Sequence, residues 1–267
     1  MKPDIEKARN RVKRDVFSEY SEAYIVSNEY VHSALKFVPK NANILTIAGS
    51  GDQAMFCSLK NPKSIDTFDI SYNAKIIMDI KTSALQILDC EDYWELLCRL
   101  YEPLDILKIH NMPEIVKTLP KQEQLYLQQM RYYEIFSIGL PPSKYPNSFP
   151  NEREYMQMRE KIKKPFNFIW SDIESLHIKL DKKYDFIHLS NILDYIDDKK
   201  IKKIILSLSE YTNPGCNIYF ESHSYYRIGT KKIRKCCEKI SQITNQEWVF
   251  KEIPSVKRLR CVIHRVR

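Results

Sequence analysis

The sequence predicts an α/β fold built on a mostly parallel sheet, and three observations carry the prediction. Short apolar runs of strand length alternate with stretches of helical character. The first of these runs ends in a turn of small residues, and the chain closes on two alternating runs joined by a short polar link. The strands are NILTIA (43–48), SIDTFDI (64–70), FNFIW (166–170), YDFIHLS (184–190) and NIYFES (217–222). Strands separated by helices pair in parallel. EWVFKEIP (247–254) and RLRCVIHRV (258–266) read instead as an antiparallel pair at the end of the sheet.

Ahead of the first strand, Val12, Phe17, Tyr20, Tyr24 and Val31 fall at loosely helical intervals until Pro39, so residues 1–40 are expected to form an N-terminal helical segment. The interval 84–164, between the second and third strands, is too long for a crossover and predicts a helical insertion. CEDYWELLCRLY (90–101) and KQEQLYLQQMRYYEIFSI (121–138) are rich in helix formers, while GLPPSKYPNSFPNE (139–152) is extended or turn-like. With no Gly/Ser linker at either end, the insertion is expected to pack as an acceptor cap within one domain spanning 1–267.

Bulk properties exclude some classes. Apolar residues make up 43% and charged residues 28% of the 267, the balance of a folded globular chain rather than a disordered one. No apolar run approaches the ~20 residues that span a bilayer, and MKPDIEKARNRVKRD is too charged for a signal peptide, so a cytoplasmic location is expected. The seven cysteines contain no C-x-x-C pair, which points to buried reduced thiols. No metal is expected, because there is no H-E-x-x-H or comparable cluster; G-x-S-x-G and G-K-[ST] are absent as well.

The net charge of +8 is concentrated at the C-terminus. There Lys231, Lys232, Arg234, Lys235, Lys239, Lys251, Lys257, Arg258, Arg260, Arg265 and Arg267 face only Glu238, Glu247 and Glu252. Such a face is either a solvated surface or a contact for an anionic surface, RNA or lipid. No obligate protein partner is evident.

ILTIAGSGDQ (44–53) has the rhythm of a nucleotide-binding turn. In open α/β sheets the ligand sits beyond the carboxyl ends of the strands, where small residues let backbone approach it. Ala48, Gly49, Ser50 and Gly51 supply that smallness, and Asp52 caps the following helix while arguing against a phosphate ligand. Asp69 stands about twenty residues after Gly49, the separation at which an acid on the second strand tip accepts ribose hydroxyls. Asp172, after the third strand, is placed to meet an adenine amino group. A nucleoside with no phosphate grip points to S-adenosylmethionine (SAM).

The order of elements resembles the Rossmann-like class I methyltransferase fold, seven strands with an antiparallel C-terminal hairpin. In that fold the first turn reads acid-x-Gly-x-Gly-x-Gly; here Thr46, Ala48, Ser50 and Asp52 occupy those places. G-S-G-D-Q with I-D-T-F-D-I, together with YDFIHLSNILDYI, resembles more specifically a bacterial family related to S-adenosylmethionine:diacylglycerol 3-amino-3-carboxypropyltransferase. The resemblance covers about 15–100 and 165–225, and implies that SAM donates its four-carbon amino acid arm and leaves methylthioadenosine.

The expected cofactor contacts are Tyr20 and Tyr24 from the upstream helical face, Ala48, Gly49, Ser50, Gly51, Asp52 and Gln53 from the first turn, Asp69 with Ile70, Asp172 with Ile173, and Ser190 with Asn191. Toward the acceptor stand Asp194, Tyr195 and His223 as catalytic candidates, because a strand-end loop presents groups to substrate and His titrates near neutrality. Tyr225, Tyr226 and Arg227 follow His223, and Arg131, Tyr132 and Tyr133 of the insertion are alternative pocket residues or plain helix surface. His188 alternates with Ile187 and Leu189 and is expected in the core. The reading that follows is a SAM-dependent transferase acting on a small-molecule or lipid acceptor, most simply by aminocarboxypropyl transfer. Methyl transfer is the alternative, and a non-catalytic nucleoside-binding module with a basic face is a further one.

Overall fold

In the computed structural model, residues 2–10, 18–102, 105–137, 149–223, 228–253 and 258–266 are described. In chain order the elements are α1 (Ile5–Arg9), β1 (Ala23–Tyr24), α2 (Val31–Leu35), β2 (Asn43–Ile47), α3 (Asp52–Cys57), β3 (Ser64–Asp69), α4 (Tyr72–Ile87), α5 (Cys90–Arg99), α6 (Met112–Thr118), α7 (Lys121–Gln129), α8 (Tyr132–Ile135), β4 (Phe136–Ser137), α9 (Glu152–Lys161), β5 (Asn167–Trp170), β6 (Tyr184–His188), α10 (Asp198–Ser209), β7 (Thr212–His223), α11 (Ile228–Thr244), β8 (Trp248–Ile253) and β9 (Arg258–Arg265).

Seven strands form one sheet in the order β5-β3-β2-β6-β7-β9-β8. All neighbouring pairs are parallel up to β7, and β9 runs antiparallel to both β7 and β8. Each apolar run of the sequence is one of these strands. β7 starts earlier than its apolar run, at Thr212: Gly215, at φ 85°, lies in the irregularity between the Tyr184↔Thr212 and Phe186↔Asn217 pairings.

The period-2 alternation along the strands sorts two cores onto the two faces. Ile44, Phe186, Tyr219 and Val262 pack with α3, α4 and the insertion, whereas Leu45, Ile187, Ile218 and Ile263 pack with α10 and α11. The insertion shares the first core through Tyr93, Ile115, Tyr126 and Tyr155. Its last helix, α9, begins with a capping box between Asn151 and Glu154, and is fastened to α4 by Gln86 Nε2 donating to Ile162 O (2.7 Å) and Tyr155 OH to Leu88 O (2.7 Å).

One expectation fails. Among its described residues, the segment 1–40 read as helical holds the short helices α1 and α2, while residues 18–30 run as loop and include β1. The aromatic spacing there reflects burial along a strap, with Tyr20, Ala23, Ile25 and Val26 all under 5% exposed. Among the described residues no helix is long and apolar enough to cross a membrane. The six cysteines with described side chains are free thiols.

Candidate active site

β2 and β6 lie side by side while their chains lead to opposite halves of the sheet, which makes their carboxyl ends the switch point where α/β folds bind ligands. From β2 the chain passes through Ala48 to Gly51 into α3. Gly49 (φ 50°) and Gly51 (φ 84°) are left-handed, a conformation that glycine adopts without a Cβ clash. At Gly51 a second constraint operates: a Cβ would stand 3.1 Å from Met78 Cα, so α3 could not start against α4.

Asp69 ends β3 beside this turn. Its Oδ2 accepts from the Gly49 amide (2.9 Å) and its Oδ1 from the Ser71 amide (2.9 Å). Burial pushes its carboxyl up to about 6 against these two stabilising bonds. The residues that follow Asp69 hold a roof over it. Ser71 Oγ donates to Ser21 O (2.5 Å), Tyr72 N to Glu19 O (2.8 Å), and Asn73 Nδ2 to Ser21 O (3.1 Å) and Glu134 O (3.0 Å). The roof itself is a small parallel pair, Ala23↔Phe136 and Tyr24↔Ser137, which joins the N-terminal strap to the insertion.

Beneath it lies a cavity of about 230 Å³. The first turn lines it with Gly49, Ser50 and Gln53, the second with Asp69, Ile70 and Ser71, and the third with Ser190, Asn191, Ile192 and Tyr195. The strap and insertion add Ser21, Glu22, Tyr24, Ser27 and Ser137.

A polar network supports the wall. Asp52 is not the helix cap that its position suggests: Gly51 is the N-cap, and Asp52, the first residue of α3, is buried with its Oδ2 accepting from Ser27 N (2.7 Å) and Ser50 Oγ (2.9 Å). Its other oxygen pairs with the Lys81 ammonium, which also donates to Ile25 O (2.8 Å) and Ser50 O (3.0 Å). Burial pulls the Lys81 pKa down while Asp52 opposes that shift. The pair therefore ties strap, turn and α4 together, and all three ammonium hydrogens have acceptors. Gln53 Nε2 donates to Ser27 Oγ (3.0 Å), whereas Gln53 Oε1 is buried with no hydrogen-bond partner.

Ser190 has a left-handed φ of 54°, a strained placement for serine, immediately after β6. Its hydroxyl donates to the buried Glu29 carboxylate, and its carbonyl accepts from Glu221 N (2.8 Å). His188 lies behind, with Nε2 3.8 Å from Glu29 Oε2; burial pushes its pKa down to about 3, so the ring is neutral at ordinary pH.

Of the residues chosen from sequence, Tyr24, Gly49, Ser50, Gln53, Asp69, Ile70, Ser190, Asn191 and Tyr195 line the cavity. Ala48, Gly51 and Asp52 build its floor without lining it. Tyr20 is turned into the core, its hydroxyl accepting from Asp4 N (2.7 Å) and its ring packed on Tyr126 and Trp170. Asp172 is occupied locally, accepting from Ser175 N (2.8 Å) and Ser175 Oγ (2.5 Å), and neither it nor Ile173 lines the cavity. Asp194 also stands outside the lining, as do Arg131 and Tyr133, which pack on one another in the open. His223 ends β7, but its side chain lies outside the described residues, together with that of Tyr132 and with Tyr225, Tyr226 and Arg227.

Sequence reasoning misses Ser27, Glu29, Asn73 and Lys81. Only Lys81 leaves a signal: it sits in IIMDIKTSAL, a stretch dominated by apolar residues, where a cation must find a partner if it is buried. Of the C-terminal basic residues, Arg260 pairs inward with Glu221 (3.1 Å) and Arg265 donates to Thr212 O (2.6 Å). Lys257 and Arg267 lie outside the described residues, as do the side chains of Lys231, Lys232 and Arg258. No group of three potential metal ligands occurs among the described residues.

No family model matches the chain, and no curated protein matches it. Solved structures overlap it at low identity. Ribosomal protein L11 methylase of Lactobacillus delbrueckii subsp. bulgaricus is 12% identical over 89% of this chain and 77% of its own, with a TM-score of 0.45. Magnesium protoporphyrin IX methyltransferase of Synechocystis PCC 6803, with bound SAM, is 10% identical over 89% and 78%, TM-score 0.45. N-methyltransferase NodS of Bradyrhizobium japonicum WM9 is 11% identical over 89% and 94%, TM-score 0.44. The fold stands on the strand order rather than on these overlaps: a third-second-first-fourth-fifth sheet whose antiparallel last strand inserts before the sixth is the Rossmann-like class I methyltransferase fold.

Proposed function

We propose that the protein is a SAM-dependent transferase, and Asp69 is the observation that carries the reading. A carboxylate at the tip of the second strand of the parallel series, held by two backbone amides and opening on a cavity at the switch point, offers its remaining lone pairs to the two hydroxyls of a ribose. The rest of the wall suits SAM. Gly49 leaves room beside Asp69, no lysine or arginine lines the described wall to grip a phosphate, and the orphaned Gln53 Oε1 awaits an N–H donor such as the methionine ammonium. When bound, SAM supplies an alkyl carbon already activated by the sulfonium.

The chain's own part is then alignment and exclusion of water. The roof of Tyr24 and Ser137 shields the cavity, Asp69 and Gln53 fix the two ends of the donor, and Asn191 and Tyr195 face the side from which an acceptor arrives. The resemblance of G-S-G-D-Q and I-D-T-F-D-I supports transfer of the aminocarboxypropyl arm to a small or lipidic acceptor. The test is mass spectrometry of the adenosyl by-product after incubation with SAM and a cell extract. Methylthioadenosine is the expected product; S-adenosylhomocysteine would make methyl transfer the reaction, and neither product above a no-enzyme control would remove the transferase reading.

A further inference from the structure

A second concave surface lies at the opposite end of the sheet from the cavity, and two segments distant in the chain build it. The turn before β3 brings Lys63, and the end of α9 with the residues after it brings Lys161, Lys163 and Lys164 to the same groove of about 500 Å³. Among the described residues none of the four meets a carboxylate: Lys161 donates to Leu59 O (3.1 Å) and Lys163 to Arg159 O (2.9 Å), carbonyls that leave the charge uncancelled. The acid in the lining, Asp66, is buried and already matched, pairing with Lys182 (2.8 Å) and accepting from Tyr184 OH (2.8 Å) and Asn167 Nδ2 (3.0 Å). The carboxyl end of α9 accounts for cations at Lys161 and Lys163, but not for Lys63, which arrives from another segment. The groove keeps the charge of four ammonium groups, which attracts a polyanion.

The apolar part of the lining decides between polyanions. Ile162 is buried and Ile65 and Phe166 are half-buried, while Lys63, Lys163 and Lys164 are exposed around them. Recessed apolar groups do not reach into a bilayer, which is entered by side chains that protrude. An extended strand suits the same relief, with a base turned down onto the Phe166 ring and its phosphates kept among the lysines. Ser64 and Asp69, the first and last residues of β3, line the groove and the cavity respectively and stand about 17 Å apart at the ordinary strand rise. A strand in the groove is therefore held away from the candidate reaction centre.

We infer that the groove docks single-stranded nucleic acid, with phosphates on Lys63, Lys161, Lys163 and Lys164 and a base on Phe166. It is a surface for attachment, separate from the cavity, and it stands whether or not the cavity carries out the transfer proposed above.

Fluorescence anisotropy of a labelled oligo(U) of about 12 nucleotides, titrated with the full chain, tests the inference. The expected result is saturable binding at about 50 mM salt that weakens roughly 20- to 50-fold by about 200 mM, the log–log slope of about −2.1 to −2.8 that three or four phosphate contacts give. Lys163→Glu with Lys164→Glu should weaken binding at least about tenfold and make the slope shallower by about 1.4. Phe166→Leu should weaken it about fivefold or more and leave the slope unchanged, because it removes an aromatic face and no charge. Absence of saturable binding at the lower salt overturns the inference, and so does unchanged affinity in either variant once circular dichroism shows it folded. Equal affinity for polyglutamate of matched charge, or tighter binding to phosphatidylserine vesicles than to the oligonucleotide, overturns it as well.

Discussion

The two ends of the sheet hold cavities of opposite character. At the carboxyl ends the cavity of about 230 Å³ carries the acids Glu22 and Asp69 and several serines, set among Ile47, Ile70, Ala74 and Ile192. At the amino ends of β3 and β5 a groove of about 500 Å³ is lined by Lys63, Lys161, Lys163 and Lys164 together with the acid Asp66, which Lys182 pairs at 2.8 Å. Two of these lysines rest on backbone carbonyls, Lys161 on Leu59 O (3.1 Å) and Lys163 on Arg159 O (2.9 Å). The net charge of +8 therefore says nothing about the sign of the candidate site. Among the described residues the basic side chains gather at the groove by the amino ends, and the cavity at the carboxyl ends, where this fold binds ligands, has acids and no lysine or arginine in its lining.

The largest expected effect is at the buried pair beneath the acidic cavity. Lys81→Met leaves Asp52 as an uncompensated buried charge and should cost about 3–5 kcal/mol of stability in chemical denaturation. Adding Asp52→Asn should recover part of that loss. If Lys81→Met is as stable as the wild type, the strap and first turn are not held by the Asp52–Lys81 pair.

A smaller effect is expected where the insertion meets α4. Glu123 and Asp79 share the single cation Lys75, and all lie in the interior or at its edge. Burial, then Asp79, pushes Glu123 up to about 7, against the pull of Lys75. A folded-state pKa above the unfolded value means that this group's contribution is complete below the unfolded pKa and is lost as pH rises through about 7. Wild-type Tm should thus fall by about 2–4 °C between pH 6 and pH 8, and Glu123→Gln should flatten that slope. An identical slope in the variant would place the titration elsewhere.

The smallest effect belongs to the basic end. Lys163→Glu with Lys164→Glu should change stability by no more than about 0.5 kcal/mol, as expected for exposed side chains, and should leave the affinity for SAM unaltered. A loss of SAM binding in this variant would break the separation between the two cavities.

The sheet was legible in the sequence because each of its strands is an apolar run bounded by polar or turn residues, and local pattern alone decides such elements. Asp69 and the Gly49–Gly51 turn were legible for a related reason, since strand tips and the turns after them follow directly from the strands. What was not legible depends on where distant segments meet. The strap over 18–30 has helical aromatic spacing but takes its path from bonds to Ser71, Tyr72 and Asn73. Glu29 reads as a surface acid until β6 brings Ser190 to it. Asp172 fits the position of an adenine contact by order along the chain, yet its carboxylate is taken up by the Ser175 amide and hydroxyl, a local turn that strand order does not foresee.

The central claim is that the acidic cavity binds SAM through Asp69, and calorimetric titration of wild-type protein and Asp69→Ala with SAM tests it most directly. The account predicts saturable binding to the wild type and a loss of about a hundredfold or more in a variant whose circular dichroism and unfolding transition show it to be folded. Equal affinity in the folded variant would contradict it.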